Sequence, residues 1–231
     1  GIDRLTHQPL SFSVSETTEG VHIHIIDAEL MGKGEKEKKD LYIEGVQNNG
    51  IINHYEYIIN SEGTIEIRHV LKPEGKMPLW FPRIGLTLTV SDALDQVKWY
   101  GRGPQENYPD RKTGYPMGIY ASTVQAMYEP YLMPQDYGLR TDVRWLQLTT
   151  DKGIGLQFKM NEWFNFNIYP YSTDNLTKAM YTYQLQKQKG MTLNLDYATT
   201  GVGCTARGVF GAYKAMPQEY RRTISIRPMM K

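Results

Sequence analysis

The sequence predicts an all-β fold in which two antiparallel sheets face each other, with few short helices. Apolar and polar side chains alternate in segment after segment, which is the pattern of strands with one face on a core and the other in solvent. Turn signals rich in glycine, asparagine, aspartate and proline separate these segments. Long amphipathic stretches of helical period are missing. These three features together favour a large antiparallel β-sandwich.

The clearest alternation lies in residues 163–168, where Phe164, Phe166 and Ile168 face one way and Asn165 and Asn167 the other. In residues 191–196 three apolar side chains similarly alternate with threonine, asparagine and aspartate. We expect the polar side of each such strand to face solvent. In chain order, strands are predicted at residues 21–25, 86–90, 97–100, 153–160, 163–168 and 191–196.

One short helix is predicted at residues 173–179, with Ser172 or Thr173 as its N-cap. A run of mixed charge at residues 33–40 is typical of a solvated hairpin or loop. No internal repeat and no linker rich in proline, glycine or serine divides the chain. We therefore expect a single domain over residues 1–231.

Composition and charge exclude several classes of function. The chain has 231 residues with 26 basic and 25 acidic side chains, so it lacks the clustered positive charge of a nucleic-acid-binding protein. Cys204 is alone, which excludes an internal disulfide and a cysteine-based metal cluster. There is no apolar run of membrane-spanning length and no signal peptide pattern, and a cytoplasmic or a periplasmic location both stay open.

The most distinctive segment is WYGRGPQENYPDR at residues 99–111. Pro104 and Pro109 cannot donate to a strand ladder and restrict the residues before them, so an irregular loop is predicted. The loop is either a stiff brace, in which its own arginines and acids pair with one another, or the wall of a binding site. A similar mixture recurs in YEPYLMPQDYGLRTDVRW at residues 128–145, and we expect the two segments to meet.

Other combinations of reactive residues are weaker candidates. Glu106 and Asp110 could form a pair of hydrolytic carboxyls, but the arginines of the same loop would hold both ionised. His22 and His24 share one face of a strand. A solvated sheet face is favoured over a two-histidine metal site there, because no acidic third ligand is obvious, and no metal site is predicted.

These segments resemble the C-terminal, small-chain domain of glycoside hydrolase family 2 β-galactosidases. The shared stretches are WYGRGPQENYPDR followed by YLMPQDYGLRTDVRW, and PRIGL, LNLDYATTGVG and ISIRP fall in the family's order around them. The resemblance covers nearly the whole chain and implies a supersandwich of the galactose-mutarotase-like type. It also implies that the chain is a C-terminal fragment of a longer β-galactosidase and lacks the first strands of the domain.

The resemblance implies a parent that hydrolyses terminal β-D-galactosides with retention. Its two catalytic glutamates would lie on a separate TIM barrel of the same chain, so the isolated chain is expected to be inactive. No cofactor is expected in this chain, and the Mg²⁺ and Na⁺ of such a parent would sit on the barrel. Expected partners are the β-galactoside substrate, the barrel and further copies of the protein, with no nucleic acid and no membrane.

The resemblance also implies that the loop borders the mouth of the active site. Its role would be to shape the pocket rather than to transfer a proton. The rim residues implied in this way are Gly103, Gln105, Glu106, Asn107, Tyr108, Asp110 and Arg111.

Two other functions remain open from the sequence. A stand-alone carbohydrate-binding module would use aromatic platforms. A galactose mutarotase-like protein would need a histidine acid and a carboxylate base, yet all five histidines lie among the first 70 residues. The candidate platforms are Tyr100, Tyr108, Tyr131, Tyr137 and Trp145.

Overall fold

The computed structural model describes residues 5–31, 49–204 and 208–230, so the charge run at 33–40 lies outside the described residues. The described chain forms β-strands joined by antiparallel pairings, together with one α-helix and two short 3₁₀ turns. The predicted all-β class, antiparallel pairing and shortage of helices are confirmed. The strands are β1 Leu5–Thr17, β2 Gly20–Met31, β3 Gly50–Ile59, β4 Ile65–Glu74, β5 Arg83–Val90, β6 Gln96–Arg102, β7 Met117–Thr123, β8 Arg140–Thr149, β9 Gly155–Tyr169, β10 Met191–Thr199 and β11 Tyr220–Met229.

The chain divides into two compact units, and each is described by itself. Unit 1 comprises Gly1–Phe81 with Met216–Ile226, and unit 2 comprises Pro82–Ala215 with Arg227–Lys231. The expectation of one domain over the whole chain stays a prediction.

Unit 1 is a meander in which the strands pair in the order β1, β2, β3, β4 and β11. The turn between β3 and β4 is held by Asn60, whose side-chain oxygen accepts hydrogen bonds from the backbone N–H groups of Glu62 and Thr64. Gly63 there has a φ of 74°, which suits a residue without a Cβ. Asparagine and glycine are among the turn signals that separate the predicted strands, and here they form a turn.

Unit 2 contains strands that pair in the order β5, β10, β9, β8, β6 and β7. Its core includes the predicted apolar face of β9, where Phe164, Phe166 and Ile168 are all buried. The expectation that the polar side of β10 faces solvent is wrong, because Asn194 and Asp196 on that side are buried. Hydrogen bonds to neighbouring strands make this burial possible, as described below.

The predicted helix is confirmed as α1, Thr173–Lys178. Ser172 is its N-cap, and the Ser172 hydroxyl accepts a hydrogen bond from the backbone N–H of Asn175. None of the helices in the described part of the chain is long and apolar enough to cross a membrane.

Candidate functional site

The loop at residues 103–111 leaves β6 through a tightly packed exit. A Cβ at Gly103 would lie 2.8 Å from Cδ2 of Tyr120 and 3.0 Å from Cζ2 of Trp99, so only glycine fits there. Trp99 is fully buried, and its ring N–H donates to the carbonyl of Arg102. The Gly103–Pro104 peptide bond is cis. The rings of Trp99 and Tyr120 therefore set the position at which the chain leaves the sheet.

Asn107 joins this loop to the second polar segment. Its side chain is fully buried, and its Oδ1 accepts hydrogen bonds from the backbone N–H and the hydroxyl of Thr141. The backbone N–H of Asn107 donates to the carbonyl of Leu139, and its side-chain N–H donates to the carbonyl of Gln105. The expected meeting of the two segments is confirmed, and Asn107 acts as an anchor within it.

Glu106 makes the second connection between the segments. Its carboxylate accepts hydrogen bonds from the hydroxyls of Tyr108 and Tyr131 and from the backbone N–H of Gly138. Burial and the nearby Glu106 charge raise the pKa of both tyrosines above the ordinary value. Both phenols therefore stay protonated and can donate to the carboxylate, which fixes the two rings relative to each other.

Arg140 lies behind the loop with 3% of its surface exposed. Its guanidinium donates to the carbonyls of Gly138 and Pro104, and its Cζ is 5.5 Å from the centre of the Trp99 ring, within the range of a cation–π contact. Burial lowers the pKa of Arg140 to about 10, against the pull of the Glu106 charge. Arg140 therefore remains a cation at neutral pH, and its hydrogen bonds connect the loop at Pro104 with the second polar segment at Gly138.

Asp110 and Arg111 lock a third segment against the loop. The Asp110 carboxylate accepts hydrogen bonds from the backbone N–H groups of Val202 and Gly203, and Arg111 donates to the Gly203 carbonyl. A Cβ at Gly201 would lie 2.4 Å from the carboxyl carbon of Asp110, so glycine is needed for this approach. The loop is thus held at both ends of its acidic stretch.

Asp142 supplies the ion pairs that close the base of the loop. Its carboxylate lies 2.6 Å from Nε of Arg102 and 2.6 Å from Nζ of Lys112. Arg102 also donates to the carbonyls of Lys112 and Tyr115. Asp142 has a φ of 56°, an uncommon conformation for a residue other than glycine, and its charged contacts help to hold it.

The expectation that the arginines and acids of the loop pair with one another is wrong. Among the described residues, each ion pair that Arg102 makes is with Asp142 in β8, and Glu106 and Asp110 are satisfied by tyrosine hydroxyls and backbone N–H groups. The physical reason is reach: the neighbouring segments bring donors within bonding distance of both acids. The loop is a brace, but it braces against its neighbours.

A cleft of about 570 Å³ opens beside the loop in unit 2. Tyr108 and Arg111 are the two members of the predicted rim set that line it. Gly103 and Asn107 are buried, Gln105 is exposed, and Glu106 and Asp110 support the cleft through the contacts described above. The charged, amide and phenolic side chains among its lining residues are Arg83, Tyr108, Arg111, Tyr131, Gln135 and Asp136.

Arg83 belongs to a partly buried polar network that the sequence did not reveal. Its Nη2 lies 2.7 Å from the carboxylate of Asp196 and 3.2 Å from the amide oxygen of Asn167. Asp136 lies 3.5 Å from Nη1 of Arg83 and accepts a hydrogen bond from Asn167. Asn194 also takes part, because its side-chain N–H donates to the amide oxygen of Asn167. We call this set the Arg83 network; its members are Arg83, Asp136, Asn167, Asn194 and Asp196.

The signal for this network was the arginine in the otherwise apolar stretch PRIGL, since such an arginine needs a partner on a neighbouring strand. Asp196 is 113 residues away in sequence, so no local pattern connects the two. The Asp196 carboxyl is buried, and burial raises its pKa although the Arg83 charge acts in the opposite direction. The network presents a guanidinium and a carboxylate at the cleft, which suits hydrogen bonding to hydroxyl groups.

The acid dependence of stability tests the pairing at the base of the loop. Partial burial opposes the charge of Asp142, but hydrogen bonds from Lys112 and Arg102 hold its pKa below the ordinary value. The ionised Asp142 therefore contributes fully to the stability of the folded state above its unfolded-state pKa near 3.8. This contribution is lost as the pH falls through the lower pKa that Asp142 has in the folded state. We expect Asp142→Asn to lower the free energy of unfolding by about 1–2 kcal/mol at pH 7 and by progressively less as the pH falls below about 3.8.

Urea denaturation at several pH values measures this difference. Asp174→Asn is the control, because Asp174 forms an exposed pair with Lys178 on α1. A difference between Asp142→Asn and the wild type that stayed constant from pH 7 to pH 3 would contradict the proposed pairing.

Comparison with known proteins identifies the family. Residues 10–226 match the family model described as β-galactosidase small chain. Over 147 residues the chain is 38% identical to a β-galactosidase of Priestia megaterium, a match that covers 64% of this chain and 14% of that protein. It is 39% identical over 122 residues to a β-galactosidase of Vibrio cholerae, covering 53% and 11%.

The chain therefore spans a small fraction of the length of these relatives. Among solved structures, a GalM/aldose epimerase homologue from C. elegans aligns with 95% of this chain and 69% of its own at 11% identity and a TM-score of 0.45. The match to the family model covers most of the chain and agrees with the motifs at residues 99–111 and 131–145. The chain belongs to the β-galactosidase small chain family.

Proposed function

We propose that the chain is the C-terminal domain of a retaining β-galactosidase and that it forms part of the rim of the substrate pocket. Its relatives are named β-galactosidases, and the chain matches a small part of their length. The proposed parent hydrolyses terminal β-D-galactosides and assembles as a homo-oligomer, and this domain supports that assembly. Family membership supports the parent activity, and the geometry of the cleft supports the role of the domain.

The catalytic pair of the proposed enzyme lies outside this chain, on a TIM barrel of the longer protein. A retaining glycosidase uses two carboxyl groups about 5 Å apart, one as nucleophile and the other as acid and base. Among the described residues lining the cleft, Asp136 is the one that carries a carboxyl, and it is held by Arg83 and Asn167. The cleft thus offers groups for binding, and any Mg²⁺ or Na⁺ of the parent would belong to the barrel.

The observation that carries the proposal is the way in which the loop presents Tyr108 and Arg111. Glu106 fixes the phenol of Tyr108, and the backbone of Gly203 fixes the guanidinium of Arg111. Side chains that are already ordered lose little conformational freedom when a ligand binds. A rim of this kind can therefore contribute to sugar binding and to the exclusion of water from the pocket.

A stand-alone carbohydrate-binding module is the second candidate. Its support is the pair of tyrosines, Tyr108 and Tyr131, that line the polar cleft. Tyr137 is buried with 2% of its surface exposed, so it offers no platform. The geometry does not favour a mutarotase, because none of the described residues lining the cleft is a histidine.

An activity comparison tests the proposal. We expect the 231-residue chain to show no turnover of nitrophenyl-β-D-galactoside and the full-length protein that contains it to hydrolyse this substrate. Clear turnover by the 231-residue chain alone would contradict the location of the catalytic pair. Inactivity of the full-length protein would contradict the parent activity.

Calorimetric titration of the 231-residue chain with galactose separates the two candidates. Because the proposed pocket is completed by the barrel, we expect no binding in the millimolar range. Millimolar or tighter binding would favour the carbohydrate-binding module.

A further inference from the structure

One face of the unit 1 sheet carries a partly exposed cluster of metal-ligating side chains. His22 and His24 are two residues apart on β2 and therefore point to the same face. Glu56 on β3 is the direct partner of His24 in the antiparallel register. Two neighbouring strands thus bring two imidazoles and one carboxylate together, although Glu56 is 32 or more residues away from the histidines in sequence.

The distances within this cluster are close to those around a bound metal ion. Oε1 of Glu56 lies 3.3 Å from Nδ1 of His22 and 4.0 Å from Nε2 of His24, and the three potential ligand atoms all lie within 4.8 Å of one another. Ligand atoms 2.0–2.2 Å from a tetrahedral Zn²⁺ are about 3.3–3.6 Å apart. The distance from Glu56 to His22 already fits. His24 would have to move closer to the other two ligands, and its side chain is half exposed, which leaves room for that movement.

Glu56 is oriented for this role by its other oxygen. Oε2 accepts a hydrogen bond of 3.1 Å from Arg68, which is itself held by Glu66 at 2.8 Å. Oε1 is left directed at the two histidines. Such outer partners commonly orient the ligands of metal sites.

His22 is not satisfied as an ordinary buried histidine. Its side chain is 12% exposed, and its Nε2 is a buried polar atom without a hydrogen-bond partner among the described residues. The two imidazole rings lie nearly parallel, 26° apart, with their centres separated by 6.4 Å. Glu56 is the group that Nδ1 of His22 faces, so Nδ1 is the ring nitrogen placed to bind a metal beside Glu56.

We propose that His22, His24 and Glu56 form a divalent-metal site of the zinc type that clamps β2 to β3. Two imidazoles and one carboxylate are ligands that Zn²⁺ favours, and they leave a fourth position for water. The site lies in unit 1 on the sheet surface, and its existence does not depend on the proposed activity of the parent. Its consequence is a cross-link between two strands whose register would otherwise be held by hydrogen bonds and packing.

The simpler interpretation is an ion pair between histidine and glutamate. The chain contains a matched example in His7 on β1, whose Nδ1 lies 3.0 Å from Oε1 of Glu29. The group of metal-ligating residues that the described structure brings together includes His22, His24 and Glu56 but not His7. His7→Gln is therefore the control that removes a histidine–glutamate pair without removing the proposed site.

The test is a calorimetric titration of Zn²⁺ into the 231-residue chain, prepared without a histidine tag and stripped with a chelator. We expect one Zn²⁺ per chain with a dissociation constant in the micromolar range or below. His22→Gln and His24→Gln are each expected to weaken binding at least tenfold, and His7→Gln is expected to leave it unchanged. Co²⁺ should give the visible absorption of a four-coordinate ion in the wild type and lose it in both variants of the site.

Thermal unfolding without metal checks that the variants are folded. His24 is half exposed, so His24→Gln should melt close to the wild type in chelator. Zn²⁺ should raise the melting temperature of the wild type and of His7→Gln, but not that of His22→Gln or His24→Gln. The proposal is overturned if the wild type does not bind Zn²⁺ at 100 µM, or if either site variant binds as tightly as the wild type.

Discussion

Replacing Arg83 with methionine is expected to lower the free energy of unfolding by about 3–5 kcal/mol, because it leaves the buried carboxylate of Asp196 without its cation. Asp196 has 2% of its side chain exposed, and Arg83 contacts it through both Nε and Nη2. Without the guanidinium, the amide of Asn167 also loses a donor to its oxygen. Urea denaturation at pH 7 measures the loss.

Two companion variants make this result specific. Arg111→Met removes another arginine of the same cleft, but Arg111 is exposed and bonds a single carbonyl, so we expect a loss below about 1 kcal/mol. Asp196→Asn in the Arg83→Met background removes the buried charge and is expected to recover part of the stability. If Arg83→Met cost no more than Arg111→Met, the network would not be a stabilising element.

The pH dependence gives an independent signature. Burial already raises the pKa of Asp196 above 3.8, and loss of Arg83 would raise it further. The folded state of Arg83→Met would then hold a proton that the unfolded state releases, so its stability should fall as the pH rises above about 4. We therefore expect a larger difference from the wild type at pH 8 than at pH 5.

The sequence predicted what periodicity and turn chemistry determine locally. The alternation of Phe164, Phe166 and Ile168 located a buried face of β9, and Ser172 marked the start of α1, because each signal depends on neighbouring residues alone. The same rule misplaced the polar side of β10. Alternation shows that the two faces of a strand differ. It does not show that a residue of another strand, such as Arg83, pairs with Asp196 on the polar face and allows it to be buried.

The candidate site shows the same boundary. Repeated composition indicated that the two polar segments meet, and Asn107 with Leu139 and Thr141 now provides the contact. From the sequence, the acids nearest to Arg102 are those of its own loop, so a pair within the loop is the local prediction. In the folded chain Arg102 pairs instead with Asp142 on β8, which is 40 residues away in sequence. Glu56 beside His22 and His24 was missed for this reason too, since strand pairing decides which acid lies opposite.

Replacing Glu106 with glutamine and Asp110 with asparagine in the proposed full-length β-galactosidase is expected to lower kcat/KM roughly 5- to 150-fold, which corresponds to a loss of about 1–3 kcal/mol of transition-state stabilisation. The glutamine would replace one carboxylate oxygen by an NH₂ group, so either the Tyr108 hydroxyl at Oε2 or the Tyr131 hydroxyl at Oε1 would lose its acceptor. The asparagine would weaken the two backbone contacts at Val202 and Gly203. Steady-state kinetics with nitrophenyl-β-D-galactoside measures the effect on kcat and KM separately.

The single variants divide this effect between the two sides of the loop. Glu106→Gln acts on the tyrosines that line the cleft, so it should carry most of the loss if those rings contact the sugar. Gln105→Ala is the control, because Gln105 belongs to the same loop but is exposed and does not line the cleft. An unchanged kcat/KM in the double variant, together with lowered stability, would show that the loop only braces the fold. A loss confined to Glu106→Gln and absent from Gln105→Ala would place the function in the orientation of Tyr108 and Tyr131, since stiffness alone would not distinguish neighbouring positions of one loop.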